Sequence, residues 1–140
     1  MGPRMKLKNW RTNLKNVFES AKDVDFKYGK FDCVLFVADC IEVMYGIDLA
    51  SDYRNSYATG ASSRRILKNF GVTSLADLFI LFLGEPSKNS WIFCGLGNPC
   101  IIKYGKTEFC GVCDGHSVLA VGQKGLVAHD KNKIHKYWEL

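Results

Sequence analysis

No stretch of these 140 residues stays apolar long enough to cross a bilayer. The greasiest run, Leu75 to Leu83, is about half of the roughly 20 residues that a hydrocarbon core demands, and it contains Asp77. Met1 to Ala21 likewise lacks an apolar core of secretory-signal length, so the six cysteines are expected as free thiols in a reducing compartment and not as a disulfide framework. Internal repeats, linkers and low-complexity tracts are absent as well. Histidine is scarce: only His116, His129 and His135 are available to any chemistry that needs an imidazole.

What is present fits one domain, residues 1–140, able to bury roughly two thirds of its unfolded surface without staples. Met1-Gly2-Pro3-Arg4 precedes a second methionine, Met5, and reads as an appended remnant outside the fold. The formal net charge of +5 suits a polyanionic partner, whether nucleic acid or cell-wall polymer, and suits an unpartnered solvated surface equally well.

Helical periodicity dominates the first half. Trp10, Leu14, Val17, Phe18 and Ala21 predict an amphipathic helix from about Lys6 to Lys22. A second helix of about 13 residues starts at Cys33, with Asp32 as N-cap and Gly46 as stop. Tyr53 and Tyr57 are expected anchors of the polar stretch Ser51 to Gly60. Ser62 or Ser63 is the expected cap of a short helix closed by Gly71, and Ser74 of another from Leu75 to Leu83 closed by Gly84. From Trp91 onward short strands are expected at Trp91 to Cys94, Cys100 to Tyr104, Ser117 to Val121, Leu126 to His129 and Ile134 to Trp138. Helices followed by a meandering antiparallel sheet describe an α+β domain.

Cys33 is the candidate nucleophile, because a helix start offers unpaired N–H groups and the positive end of the dipole to a thiolate. Cys40, two turns further along the same helix, reads as core packing. A thiol nucleophile needs a base and the base an orienting group. His116 precedes the strand at Ser117, and His129 ends the next one. An even hairpin loop at Gln123-Lys124 pairs Gly122 with Gly125, puts Lys131 opposite His116 and makes His129 its diagonal neighbour. An odd loop would turn Asp130 toward His116 instead. Even loops are commoner, so His129 is the preferred orienter, while His135 reads as surface.

Phe26, Tyr28, Gly29, Asp32, Cys33, Gly46, Asp48, Arg54, Tyr57, Gly60 and Ala61 together form a pattern that resembles the NlpC-type branch of the papain-like cysteine peptidases. More narrowly, the pattern resembles the phage and prophage tail-associated domains related to that branch. The resemblance implies a papain-like fold, with the nucleophile helix packed on the C-terminal sheet. It implies Cys33 as nucleophile, His116 as base, His129 as third member, and Tyr28 and Asp32 as substrate-contacting residues. Phe26 stands where such peptidases carry a tyrosine that assists the oxyanion, and Tyr28 is the candidate to replace it. The implied reaction is amide hydrolysis through a thioester, on a stem peptide of bacterial peptidoglycan. No cofactor, nucleic-acid partner or membrane is implied. The implied location is a virion tail or the cytoplasm of an infected bacterium, with other tail proteins as further partners.

Three rivals stand beside that reading. One is a catalytically silent tail-assembly module of the same fold. Another is a zinc-stabilised binding protein using Cys94, Cys100, Cys110 and Cys113, since Cys110-Gly111-Val112-Cys113 has a two-residue gap familiar from metal sites and His116 is a further possible ligand. The last is an injected amidase toxin that shares Cys33 and the histidine.

Overall fold

The structure, a computed structural model, describes residues 5–52 and 54–140, the side chains of Ser62 and Ser63 excepted. Residues 1–4 and Tyr53 lie outside the described residues, and with them the readings of a remnant and of a Tyr53 anchor.

Four helices precede the sheet: α1 (Trp10–Ala21), α2 (Cys33–Tyr45), α3 (Gly60–Asn69) and α4 (Leu75–Leu83). The first starts later than the apolar spacing suggests, because Asn9 sits in the left-handed region at φ 62° and its side chain caps nothing. The second has the expected bounds. Asp32 accepts a hydrogen bond from the Leu35 N–H, and Gly46, at φ 79°, ends the helix by donating to the Glu42 carbonyl. The third begins at Gly60 and not beside Ser62 or Ser63, and Gly71 closes it as expected. The fourth is capped by Ser74 and stopped by Gly84.

The sheet has five strands, β1 (Pro99–Tyr104), β2 (Thr107–Cys113), β3 (Ser117–Gly122), β4 (Gly125–Asp130) and β5 (Ile134–Tyr137), in the order β4-β3-β2-β1-β5. Every pairing is antiparallel. Two expectations fail here. Trp91 to Phe93 is a 3-10 turn capped by Ser90, its apolar residues having no strand to pair with. The second strand was missed, since Cys and Gly are poor strand markers, yet a two-residue turn at Gly105-Lys106 folds Thr107 back onto Tyr104 and zips the strand to β1.

A flat sheet of five strands would hold its edges about 19 Å apart. The edge strands β4 and β5 are nevertheless joined by the single 3-10 turn Lys131–Lys133, which spans only about 8 Å. The sheet must therefore curl, and its two faces become an inside and an outside. Cys94, Cys100, Ile102, Cys113, Val118, Ala120 and Tyr137 fill the concave side. Ile101, Cys110, Val112 and Trp138 pack with Leu14, Phe36, Cys40, Ile41, Met44 and Phe79 on the other, where α1, α2 and α4 lie. Cys40 is fully buried there, as its helical position predicts.

Candidate functional site

Cys33 is half-buried at the first position of α2 and packs against the core cluster that includes Cys110 of β2. The neighbouring Cys110 thiol is the strongest influence on Cys33 and lowers its pKa below the usual 9.0; burial and the nearby Asp32 carboxylate push the other way, and the Val34 N–H helps the thiolate. Cys110 is fully buried in β2 and carries the opposite shift, well upward, because burial and its neighbour both disfavour a second negative charge. One thiol of the pair is the acidic one and the other keeps its proton.

The loop that delivers Cys33 is held from several sides. Leu126 donates to the Lys22 carbonyl and Phe26 to the Gln123 carbonyl, each at 3.0 Å, tying the loop to the β3–β4 hairpin. Lys27 and Phe31 exchange two backbone hydrogen bonds of 2.8 Å. Gly29, at φ 78°, then passes so close to Tyr57 that a Cβ would collide with the Tyr57 carbonyl oxygen, which reserves the position for glycine.

Asp32 is buried, and its carboxylate accepts from the Gly29 N–H and the Leu35 N–H at 3.0 Å and from the Tyr57 hydroxyl. With its oxygens engaged inside the protein, Asp32 holds the turn that carries Cys33. Tyr28 is exposed and packs edge-on to Phe26, with ring centres 4.7 Å apart. Behind the helix, Arg54 bridges Asp48, at 3.0 Å, and Asp39, at 2.7 Å. That ion pair holds Asp48 below its usual pKa, whereas burial outweighs Arg54 at Asp39 and raises its pKa.

Neither histidine joins this site. The hairpin has the even register, with Gly122 opposite Gly125, and so His129 pairs with Val118. Val118 belongs to the concave face. The same parity that makes His129 a neighbour of the His116 strand therefore places it on the far side of the sheet from Cys33. There its Nδ1 hydrogen-bonds with the Tyr104 hydroxyl at 2.7 Å, and burial lowers its pKa. His116 is exposed in the turn between β2 and β3, where its N–H donates to Asp114 Oδ1 at 2.9 Å. Cys110 lies about 10 Å along the strand from Cys113, with the His116 turn beyond it. The groups that shift Cys33 include no imidazole. His135 is exposed, as expected.

The four-cysteine metal set also comes apart. Residues three apart in a strand face opposite ways, so Cys110 meets Cys33 on the helical side while Cys113 joins Cys94 and Cys100 inside the curl. The Cys94 and Cys100 sulfurs are 3.5 Å apart, and Gly115 donates to Cys113 Sγ at 3.3 Å. Packing among thiols pushes Cys94 up to about 12 and raises Cys113 further. Among the described residues no group of three or more His, Cys, Asp or Glu is placed to hold a metal ion.

A family model described as a domain of unknown function, DUF6950, matches residues 5–140. The chain belongs to the DUF6950 family. Comparison with curated proteins and with solved structures returns no match. The family model thus spans the Cys33 helix, its bracing loop and the whole sheet of this DUF6950 domain. Sequence reasoning counts Cys110 among the candidate zinc ligands and misses it as the neighbour of Cys33. Its signal was the alternation Cys110, Val112 against Gly111, Cys113, readable only once the segment is taken as a strand and not as a metal knuckle.

Proposed function

We propose that this domain is a phage tail-associated structural module on the NlpC-type papain-like fold, in which Cys33 occupies the nucleophile's position without hydrolysing amides. The observation that carries the reading is what surrounds Cys33: the group acting most strongly on its thiol is another thiol, Cys110, while His129 lies on the opposite face of the sheet. Amide hydrolysis requires a group that takes the thiol proton and returns it to the leaving amine. A buried thiol with a strongly raised pKa stays protonated, so it cannot take the Cys33 proton, and it is too weak an acid to return one to the amine. The papain-like assignment is supported by the order of the chain, a thiol-bearing helix followed by a curled antiparallel sheet packed against it. The motif residues shared with the tail-associated domains support the module reading too, since Gly29, Asp32, Asp48, Arg54 and Tyr57 are engaged in bracing the loop and the helix.

Wall digestion tests the proposal. Purified protein incubated with peptidoglycan should release no stem-peptide fragments detectable by mass spectrometry, and tail particles that contain the chain should retain it through purification. A second reading, a cell-wall peptidase or amidase, draws on the lowered pKa of Cys33 at a helix start. Release of wall fragments that Cys33→Ala abolishes would replace the first reading with the second.

A further inference from the structure

Trp91, Ile92 and Phe93 follow one another in a 3-10 turn, and all three face solvent, at 39%, 63% and 69% exposure. Single exposed apolar residues are ordinary, whereas a contiguous apolar tip marks a place of contact. The backbone beneath this tip is tied off. Ser90 Oγ accepts from the Ile92 N–H at 3.4 Å, the Ser90 carbonyl accepts from the Phe93 N–H at 3.0 Å, and the Cys94 N–H donates to the Trp91 carbonyl at 3.0 Å. The Tyr137 hydroxyl donates to the Ser90 carbonyl at 3.2 Å. Lys131 Nζ donates to the Cys94 carbonyl at 2.7 Å and to the Ile92 carbonyl at 3.4 Å, which holds a positive charge directly beneath the tip.

Lys131 opens the 3-10 turn Lys131–Lys133, and Lys133 at its other end sets its Nζ 5.3 Å from the centre of the exposed Tyr104 ring. Exposed Phe109 packs edge-on to Tyr104, with ring centres 6.3 Å apart, and extends the apolar rim. Asp130, the acidic residue beside the two lysines, is engaged as the cap of their turn and accepts from the Asn132 N–H at 2.9 Å.

We propose that the Trp91–Phe93 tip docks on the surface of an anionic lipid bilayer, with Lys131 and Lys133 facing the headgroups, a partner that the family resemblance does not imply. Side chains entering the acyl boundary must bring few unpaired backbone groups with them. Here the Ser90, Trp91, Ile92 and Cys94 carbonyls and the Ile92, Phe93 and Cys94 N–H groups are engaged within the protein. Tryptophan suits the headgroup level, and adjacent lysines attract anionic lipid. Ile92, with no ring to stack on a base, argues against a single-stranded nucleic acid at the same tip. The contact is interfacial, since no helix among the described residues is long and apolar enough to cross a membrane. It draws nothing from Cys33 and holds whether or not the domain cleaves peptidoglycan.

Cosedimentation with vesicles tests the docking. The full chain should pellet with vesicles of mixed phosphatidylglycerol and phosphatidylcholine and less with phosphatidylcholine alone, and added salt should weaken the first. A double variant, Ile92→Ser with Phe93→Ser, should lower partitioning roughly tenfold or more through the lost apolar burial, with thermal melting unchanged because both side chains are exposed. Lys133→Gln should lower partitioning on the anionic vesicles about fivefold, the share of one lysine at a charged surface, and leave the neutral vesicles unaffected. Lipids with brominated acyl chains should quench tryptophan fluorescence, and Trp91→Phe should remove that quenching, Trp138 being buried. No binding to anionic vesicles, binding that the double variant retains, or bound protein without quenching would each overturn the proposal. A concentration-dependent dimer that the double variant abolishes, in place of vesicle binding, would overturn it too and assign the tip to a second copy of this chain.

Discussion

At the scale of single residues, the acidity of Cys33 is a balance that substitutions can shift in known directions. The Cys110 side chain is the largest lowering influence, and burial and Asp32 oppose it. Cys110→Ala should therefore raise the pH midpoint of Cys33 alkylation, read by mass mapping across a pH series so that any change in access cancels. A midpoint that stays put or falls would deny Cys110 that role. Asp32 is a buried carboxylate with a hydroxyl and two N–H donors. Removing one donor from a buried charge costs about 1.5–3 kcal/mol. Tyr57→Phe should lower unfolding free energy in guanidinium by about that much, and an unchanged midpoint would mean that water replaces the hydroxyl at no cost. The Asp32 cap and the candidate thiol were legible in sequence because capping and helix-start chemistry are local. Cys110 was not, since nothing in residues 107–113 announces which distant side chain they will face.

At the scale of elements, the boundaries of α2 and α4 followed from Asp32, Gly46, Ser74 and Gly84, residues whose preferences act within one turn. The β3–β4 register followed from loop parity. The Trp91–Phe93 turn and β2 were misread because a strand is defined by its partner as much as by its own composition. The segment after α2 is pinned by Arg54 to Asp39 and Asp48. Asp48, with its depressed pKa, contributes stability that is full above the ordinary carboxylate value of 3.8 and is lost as pH falls through the depressed one. Asp39 has the opposite shift, and its ionised form becomes a burden as pH rises. Arg54→Met should thus cost about 1 kcal/mol at neutral pH, the groups being partly exposed, and the gap from wild type in thermal melting should close on acidification below 3.8. A gap that stays constant with pH would assign Arg54 a packing role alone.

At the scale of the whole molecule, the curled sheet and the helical layer meet at Trp138. Its indole is buried against Phe79, with ring centres 5.3 Å apart, and its N–H donates to the Gly84 carbonyl at 2.8 Å, so the end of β5 is fastened to the end of α4. Deleting a buried aromatic of this size costs about 3–5 kcal/mol. Trp138→Ala should lower stability by that order in denaturant melts, and a loss below about 1 kcal/mol would show that the two layers hold without it. The sequence by itself determined the α+β order, the caps of α2 and α4, the thiol at a helix start and the parity of the β3–β4 hairpin, because each depends on residues within a few positions of one another. Only the tertiary structure decided which face of the sheet each side chain joins. The short turn between β4 and β5 forces the sheet to curl, so that residues of neighbouring position go to opposite cores, His129 to the concave one and Cys110 to Cys33.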